Sequence, residues 1–139
     1  MGSRRRSREF ALQCLYGIEI SHEDPERALA EFWAEHPADE EVRRYASGLV
    51  KGACAARGEI DRLIAGCAKN WTLERMAAVD RNILRLAVYE MRSGGEPPPA
   101  VIINEAVDIA KKYSTPDSGA FVNGILDRIH KDALRDGNP

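Results

Sequence analysis

Nowhere in the 139 residues does an apolar run approach the ~18 residues that a bilayer-spanning helix needs. Cysteine is scarce and odd in number. Cys14, Cys54 and Cys67 are widely spaced, each inside an apolar helical pattern, which predicts reduced, packed thiols and no disulfide framework. The three histidines, His22, His36 and His130, have no ligand partners at metal-site spacing, so no metal is expected and exposed helix or loop positions are. There is no glycine-rich phosphate loop, because Ser93-Gly94-Gly95 before three prolines reads as a turn. No cysteine carries the local signature of a paired base, and no strand-like alternation of useful length occurs. The expected cofactor set is therefore empty, and the reading is a binding protein and not an enzyme.

What is present is helical. Aromatics are only 6% of the chain, while Ala, Leu, Arg and Glu dominate. Arg4, Arg5, Arg6 and Arg8 open the sequence, although the formal net charge is −2; without them 16 basic residues face 22 acidic ones, a balance of −6. A cationic start on an acidic chain points to a polyanion, either nucleic acid or an anionic surface. The arginines followed by FALQCLYGIEI imitate a secretory leader, but Gln13 and Glu19 interrupt the apolar stretch and no small-x-small site follows, so a cytoplasmic protein is expected.

Periodicity predicts helices over 4–20, with Ser3 as N-cap, and over 25–35, with Pro25 in the first turn. A long core-facing helix over 39–68, broken or kinked near Gly58, follows. Residues 73–91 read as the next helix, 99–113 as another, and a last one buries Phe121, Val122, Ile125, Leu126 and Ile129. Thr115 is expected to cap this last helix, with Pro116 in its first turn, and the tail 136–139 to fray. The expectation is one all-α domain spanning 1–139.

A helix N-terminus carries partial positive charge, so arginines there oppose local stability by about 0.3–1 kcal/mol each when exposed. Either the segment is a disordered arm or the arginines serve a ligand. At ~100° per residue, Arg6, Glu9, Gln13 and Tyr16 share a face opposite the Ala11–Leu15–Ile18 stripe. A guanidinium, an amide and a ring in a row suit phosphate contact, base-edge hydrogen bonds and stacking on unpaired bases.

Asp80 is a second oddity, since a continuous 73–91 helix would put it inside an apolar stripe, where an unpaired carboxylate is costly. Two readings stay open: the helix breaks at Ala77-Ala78-Val79 and Asp80 caps the next one, or Asp80 is exposed at a junction for a basic partner. A third oddity is YSTPDSGAFVNG, where Tyr113, Asp117 and Phe121 flank a helix start with free backbone N–H groups. Periodicity makes Phe121 core, and Asn123 is expected to bond neighbouring backbone inside the bundle.

Three segments, RRRSREFALQCLY, VDRNILRLAVYEM and VIINEAVDIAKKYSTPDSGAFVNGILD, stand in the order and at the chain length of the NusB transcription antitermination family, which this sequence resembles throughout. The resemblance implies about seven helices in two small three-helix-type bundles packed across each other. It implies binding of boxA-type RNA together with NusE, a small-subunit ribosomal protein, in an RNA polymerase antitermination complex acting notably on ribosomal RNA synthesis. It assigns RNA contact to Arg4, Arg5, Arg6 and Arg8 and to Tyr113, Asp117 and Phe121, with Gln13 added from its place on the helix face. It assigns the NusE-facing surface to Tyr16, Asp80 and, more weakly, Glu74. Asp80 stands where some members have the longer Glu, and Tyr113 where Phe also occurs. Some members dimerise and would hide the RNA surface; the sequence leaves this open. The alternative is a helical RNA-binding or adaptor module akin to the N-terminal domain of a ribosomal RNA cytosine methyltransferase.

Overall fold

Pro25 and Pro99 each open a helix at the position where a missing N–H does no harm, and Asp24 completes the first of these by accepting from the Arg27 N–H at 3.2 Å. The computed structural model describes residues 2–136. Its helices are α1 (Ser3–Ser21), α2 (Pro25–Glu35), α3 (Glu40–Ala55), α4 (Arg57–Cys67), α5 (Ala78–Arg92), α6 (Pro99–Tyr113) and α7 (Ser118–Arg135), with a single 3-10 turn at Leu73–Arg75. No strand occurs among the described residues. α1, α2 and α3 pack together as one bundle and α4 to α7 as another; α5 lies at the join, touching α1 and α3 as well as α4, α6 and α7.

The apolar stripes fall where the periodicity put them. Ala11, Leu15 and Ile18 of α1 are buried, as are Val122, Ile125, Leu126 and Ile129 of α7, in one continuous core. Phe10, Phe32 and Trp33 meet edge to face and hold α2 against α1, and the Trp33 indole N–H donates to Ser47 Oγ at 2.9 Å. Gly52 lets α3 and α5 approach closely, because a Cβ there would stand inside the Tyr89 ring.

The boundaries differ from the sequence reading at definite places. The 39–68 stretch does break near Gly58, dividing two residues earlier, at Ala56, into α3 and α4. The 73–91 stretch divides at Ala77. Arg81 donates to the carbonyls of Leu73 at 2.7 Å and Met76 at 2.9 Å, so the chain before α5 is held in a turn and not as a continuous helix. α1 starts at Ser3, with Gly2 and not Ser3 in the N-cap position. α7 starts at Ser118, so Thr115 and Pro116 belong to the preceding turn and Asp117 takes the N-cap position without a side-chain capping bond. Asn123 is exposed instead of bonded inside the bundle. His22 is exposed, but His36 is half-buried, stacked on Phe32 at 4.1 Å, and His130 is half-buried as well. Asp136 ends α7; the rest of the tail expected to fray, residues 137–139, lies outside the described residues.

Candidate nucleic-acid interface

The arginine-rich stretch is helical from Ser3 onward, which removes the disordered-arm alternative. No acidic residue occupies its first turn. The counter-charges come instead from distant parts of the chain. Arg8 makes a two-pronged ion pair with Glu90 of α5, Nε–Oε1 at 2.9 Å and Nη2–Oε2 at 2.7 Å, and reaches Glu105 of α6 with Nη1 at 2.9 Å. Arg5 forks onto Glu105, with its Nε at 3.0 Å, and bonds Asp108 at 3.0 Å. Tyr45 of α3 donates its phenol to Glu90. Burial works against the charge on Arg8, and the Glu90 carboxylate more than restores it, leaving the pKa above its ordinary value. Burial and then Glu90 push the Tyr45 phenol up to about 12, and the Arg5 guanidinium holds Glu105 below the usual carboxylate range.

Two of the four arginines expected to face a polyanion are engaged by carboxylates of this chain. Arg8 is only 7% exposed and serves as a structural ion pair between the bundles. Arg5 is already neutralised by two carboxylates. Arg4 and Arg6 make no ion pair among the described residues: Arg4 lies over the Tyr45 ring, 3.8 Å from its centroid, and Arg6 over Phe10 at 5.6 Å.

Long side chains bridge α1 and α6 in the same order along both helices. Arg5 meets Glu105 and Asp108, and one turn further Glu9 accepts from Lys112 at 3.2 Å and from the Tyr113 phenol at 2.9 Å. Glu9 is thus buried beneath Tyr113 and does not share the solvent face with Arg6, Gln13 and Tyr16, which are exposed. Burial first, then Glu9, raises the Tyr113 phenol pKa, while Glu9 raises that of Lys112. The end of α6 carries two cations absent from the expected site, Lys111 and Lys112, and Lys112 lies 5.1 Å from the Tyr113 ring centroid. Asp117 is exposed, and Phe121 is half-buried, with part of its surface packed on the core and part in an open concavity.

Asp80 resolves neither of its two readings as stated. It sits on the third residue of α5, so it is not the N-cap, and at 7% exposure it is not an open carboxylate for a partner. Ser118 Oγ donates to its Oδ2 at 3.0 Å, inside a hydroxyl cluster with Ser114 and Thr115, and Oδ1 is buried without a hydrogen-bond partner. Asp80 therefore ties the start of α5 to the α6–α7 junction. Tyr16, at 39% exposure, Ile20 and Glu74 are open to solvent. Arg81 brings them to one side by bonding both Glu19 of α1 and the carbonyls of the turn that carries Glu74.

No group of three or more potential metal ligands occurs among the described residues, and no helix there is long and apolar enough to cross a membrane. The class of protein so defined is an all-α double bundle with a cationic helix start aligned beside an aromatic helix junction. The NusB family profile matches residues 5–131. The transcription antitermination protein NusB of Sorangium cellulosum is 48% identical over 129 residues, covering 93% of this chain and 92% of that protein, and its Anaeromyxobacter sp. counterpart is 50% identical over 127 residues, covering 91% and 88%. A T. maritima NusB structure is 42% identical with a TM-score of 0.85, covering 92% of this chain and 90% of that one. A crystal structure of antitermination factors NusB and NusE in complex with double-stranded RNA is similar at 32% identity and TM-score 0.85, covering 95% and 98%. The chain belongs to the NusB family, a family of transcription antitermination factors and not of enzymes.

Proposed function

We propose that this protein binds boxA-type single-stranded RNA jointly with NusE, in the cytoplasm, and that the pair joins an RNA polymerase complex that keeps transcription of ribosomal RNA operons processive. The observation that carries the reading is the alignment of α1 with α6, supported by likeness over nearly the whole chain to a protein crystallised with NusE and RNA. Arg4 and Arg6 supply unpaired cations, Gln13 an amide, and Tyr113 and Phe121 rings at the adjoining helix junction, with Asp117 between them. Lys112 lies at the Tyr113 ring, 5.1 Å from its centroid, with Glu9 as its carboxylate partner, and Lys111 is exposed with no ion pair among the described residues. Arg5 joins this set when a phosphate displaces Asp108, while Arg8 holds the platform in place. The RNA in the similar complex is double-stranded, whereas exposed rings next to cations favour unpaired bases.

Tyr16, Ile20 and Glu74 form the proposed NusE-facing surface, with Asp80 buried behind it as a brace. The test is a titration of labelled boxA-like RNA, its scrambled control and a duplex of the same sequence, with and without NusE. Tighter binding of the boxA strand, strengthened by NusE, is expected; equal binding of all three RNAs in both conditions would sink the reading.

A further inference from the structure

Trp71 is the largest side chain that the fold leaves unused. It follows the end of α4, is 51% exposed, and stands between the buried residues Ala68 and Met76. Together with Phe121 it lines an open concavity of about 380 Å³ that also includes Lys69, Asn70, Gly124 and Arg128. None of the residues lining it is acidic, although acidic residues outnumber basic ones in the chain, 22 to 20. Arg128 has one carboxylate neighbour outside the rim, Asp132, with Nε–Oδ2 at 3.5 Å; Lys69 has no ion pair among the described residues. Gly124 leaves space inside the Trp71 concavity, since a Cβ there would meet nothing within 4 Å.

Two rings, two cations and an amide around a carboxylate-free hollow suit a base stacked on an aromatic face with its phosphate held by a cation. We propose that Lys69, Trp71 and Arg128 form a subsite for one further nucleotide of single-stranded RNA, beside Phe121. The proposal rests on the RNA-binding reading above. Phe121 belongs to both surfaces, so a strand that leaves the α1–α6 face over Phe121 meets Trp71 next.

The test is a fluorescence titration of the Trp33→Phe protein, in which Trp71 is the remaining indole, with a boxA-like strand and with versions shortened one nucleotide at a time. Quenching by the full strand, lost when the nucleotide that reaches the hollow is removed, is expected. Trp71→Ala should weaken the full strand about tenfold, and Trp71→Phe, which keeps a stacking face, less than about threefold. Lys69→Ala with Arg128→Ala should lower the slope of log affinity against log salt by about 0.7, one phosphate on a single strand. Gly124→Leu should reproduce the loss of affinity by filling the hollow, with neither ring nor charge removed. Circular dichroism confirms that each variant is folded. If Trp71→Ala binds RNA as the parent does and Trp71 emission is unchanged, the subsite is wrong while the RNA reading stands; if the parent binds no RNA, both fail. Loss of NusE binding with RNA affinity intact would give the hollow to protein and overturn the proposal as well.

Discussion

Arg8 and Glu90 face each other fork to fork across the join between the two bundles, one from a helix expected to serve a ligand and one from the central helix of the fold. Removing one partner of a buried pair strands the other. Arg8→Ala should therefore destabilise the protein by about 3–5 kcal/mol. The double replacement Arg8→Ala with Glu90→Ala should cost less than the sum of Arg8→Ala and Glu90→Ala made singly. Urea unfolding of the three variants measures this, and a single-variant loss below about 1 kcal/mol would contradict the structural role.

Arg4 and Arg6 should behave in the opposite way. Arg4→Ala with Arg6→Ala should flatten the salt dependence of RNA affinity by about 1.4 in slope, two phosphates' worth on a single strand. The thermal midpoint should barely move. An unchanged slope would remove both residues from the RNA face.

Glu19 gives a pH signature. Arg81 first, with Arg85 adding to it, holds its pKa at about 2, below the ordinary 4.5. A carboxylate with a depressed folded pKa adds stability that is complete above 4.5 and disappears as pH falls through 2. Glu19→Gln should therefore lose roughly 2 kcal/mol at neutral pH and show a shallower fall in stability between pH 4.5 and 2. Parallel acid titrations followed by circular dichroism would expose the error if the two curves had the same slope.

Partner and core substitutions should separate on the α5 side. Tyr16→Ala and Glu74→Ala should weaken NusE binding with little change in stability. Asp80→Lys, which forces an ammonium into the Ser118 cluster, should unfold a large fraction of the protein. Calorimetric binding of NusE to each folded variant makes the comparison. Full stability of Asp80→Lys would show that the site opens to solvent.

Gly52→Ala should cost about 1–3 kcal/mol, because its methyl group collides with the Tyr89 ring. Adding Tyr89→Ala should recover part of that loss, read as a non-additive thermal midpoint. Strict additivity would mean that α3 and α5 do not touch there.

These predictions follow the line between what the sequence made legible and what it did not. The stripes Ala11–Leu15–Ile18 and Val122–Ile129 obey local helical periodicity, so they placed the core and the helices around it. The turn chemistry of YSTPDSGAFVNG set Tyr113, Asp117 and Phe121 around one helix start, and only the family likeness suggested RNA as what they meet. The carboxylate partners of Arg5 and Arg8 lie 82 to 103 positions away, and no local pattern reports a pairing at that range. The break before α5 depends on a side chain from within the helix bonding carbonyls upstream of it, which a stripe of apolar residues does not record. Asp80 raised the right question, and its answer was Ser118, 38 residues further on.

Because α1 is helical from Ser3 and locked at Arg8, Arg4 and Arg6 stand on a rigid base before any RNA arrives. The entropy of ordering that stretch is met during folding, so association should resemble docking onto a fixed surface and not the capture of a wandering tail. Its on-rate should then follow encounter and ionic strength, with little dependence on solvent conditions that promote helix formation in free peptides.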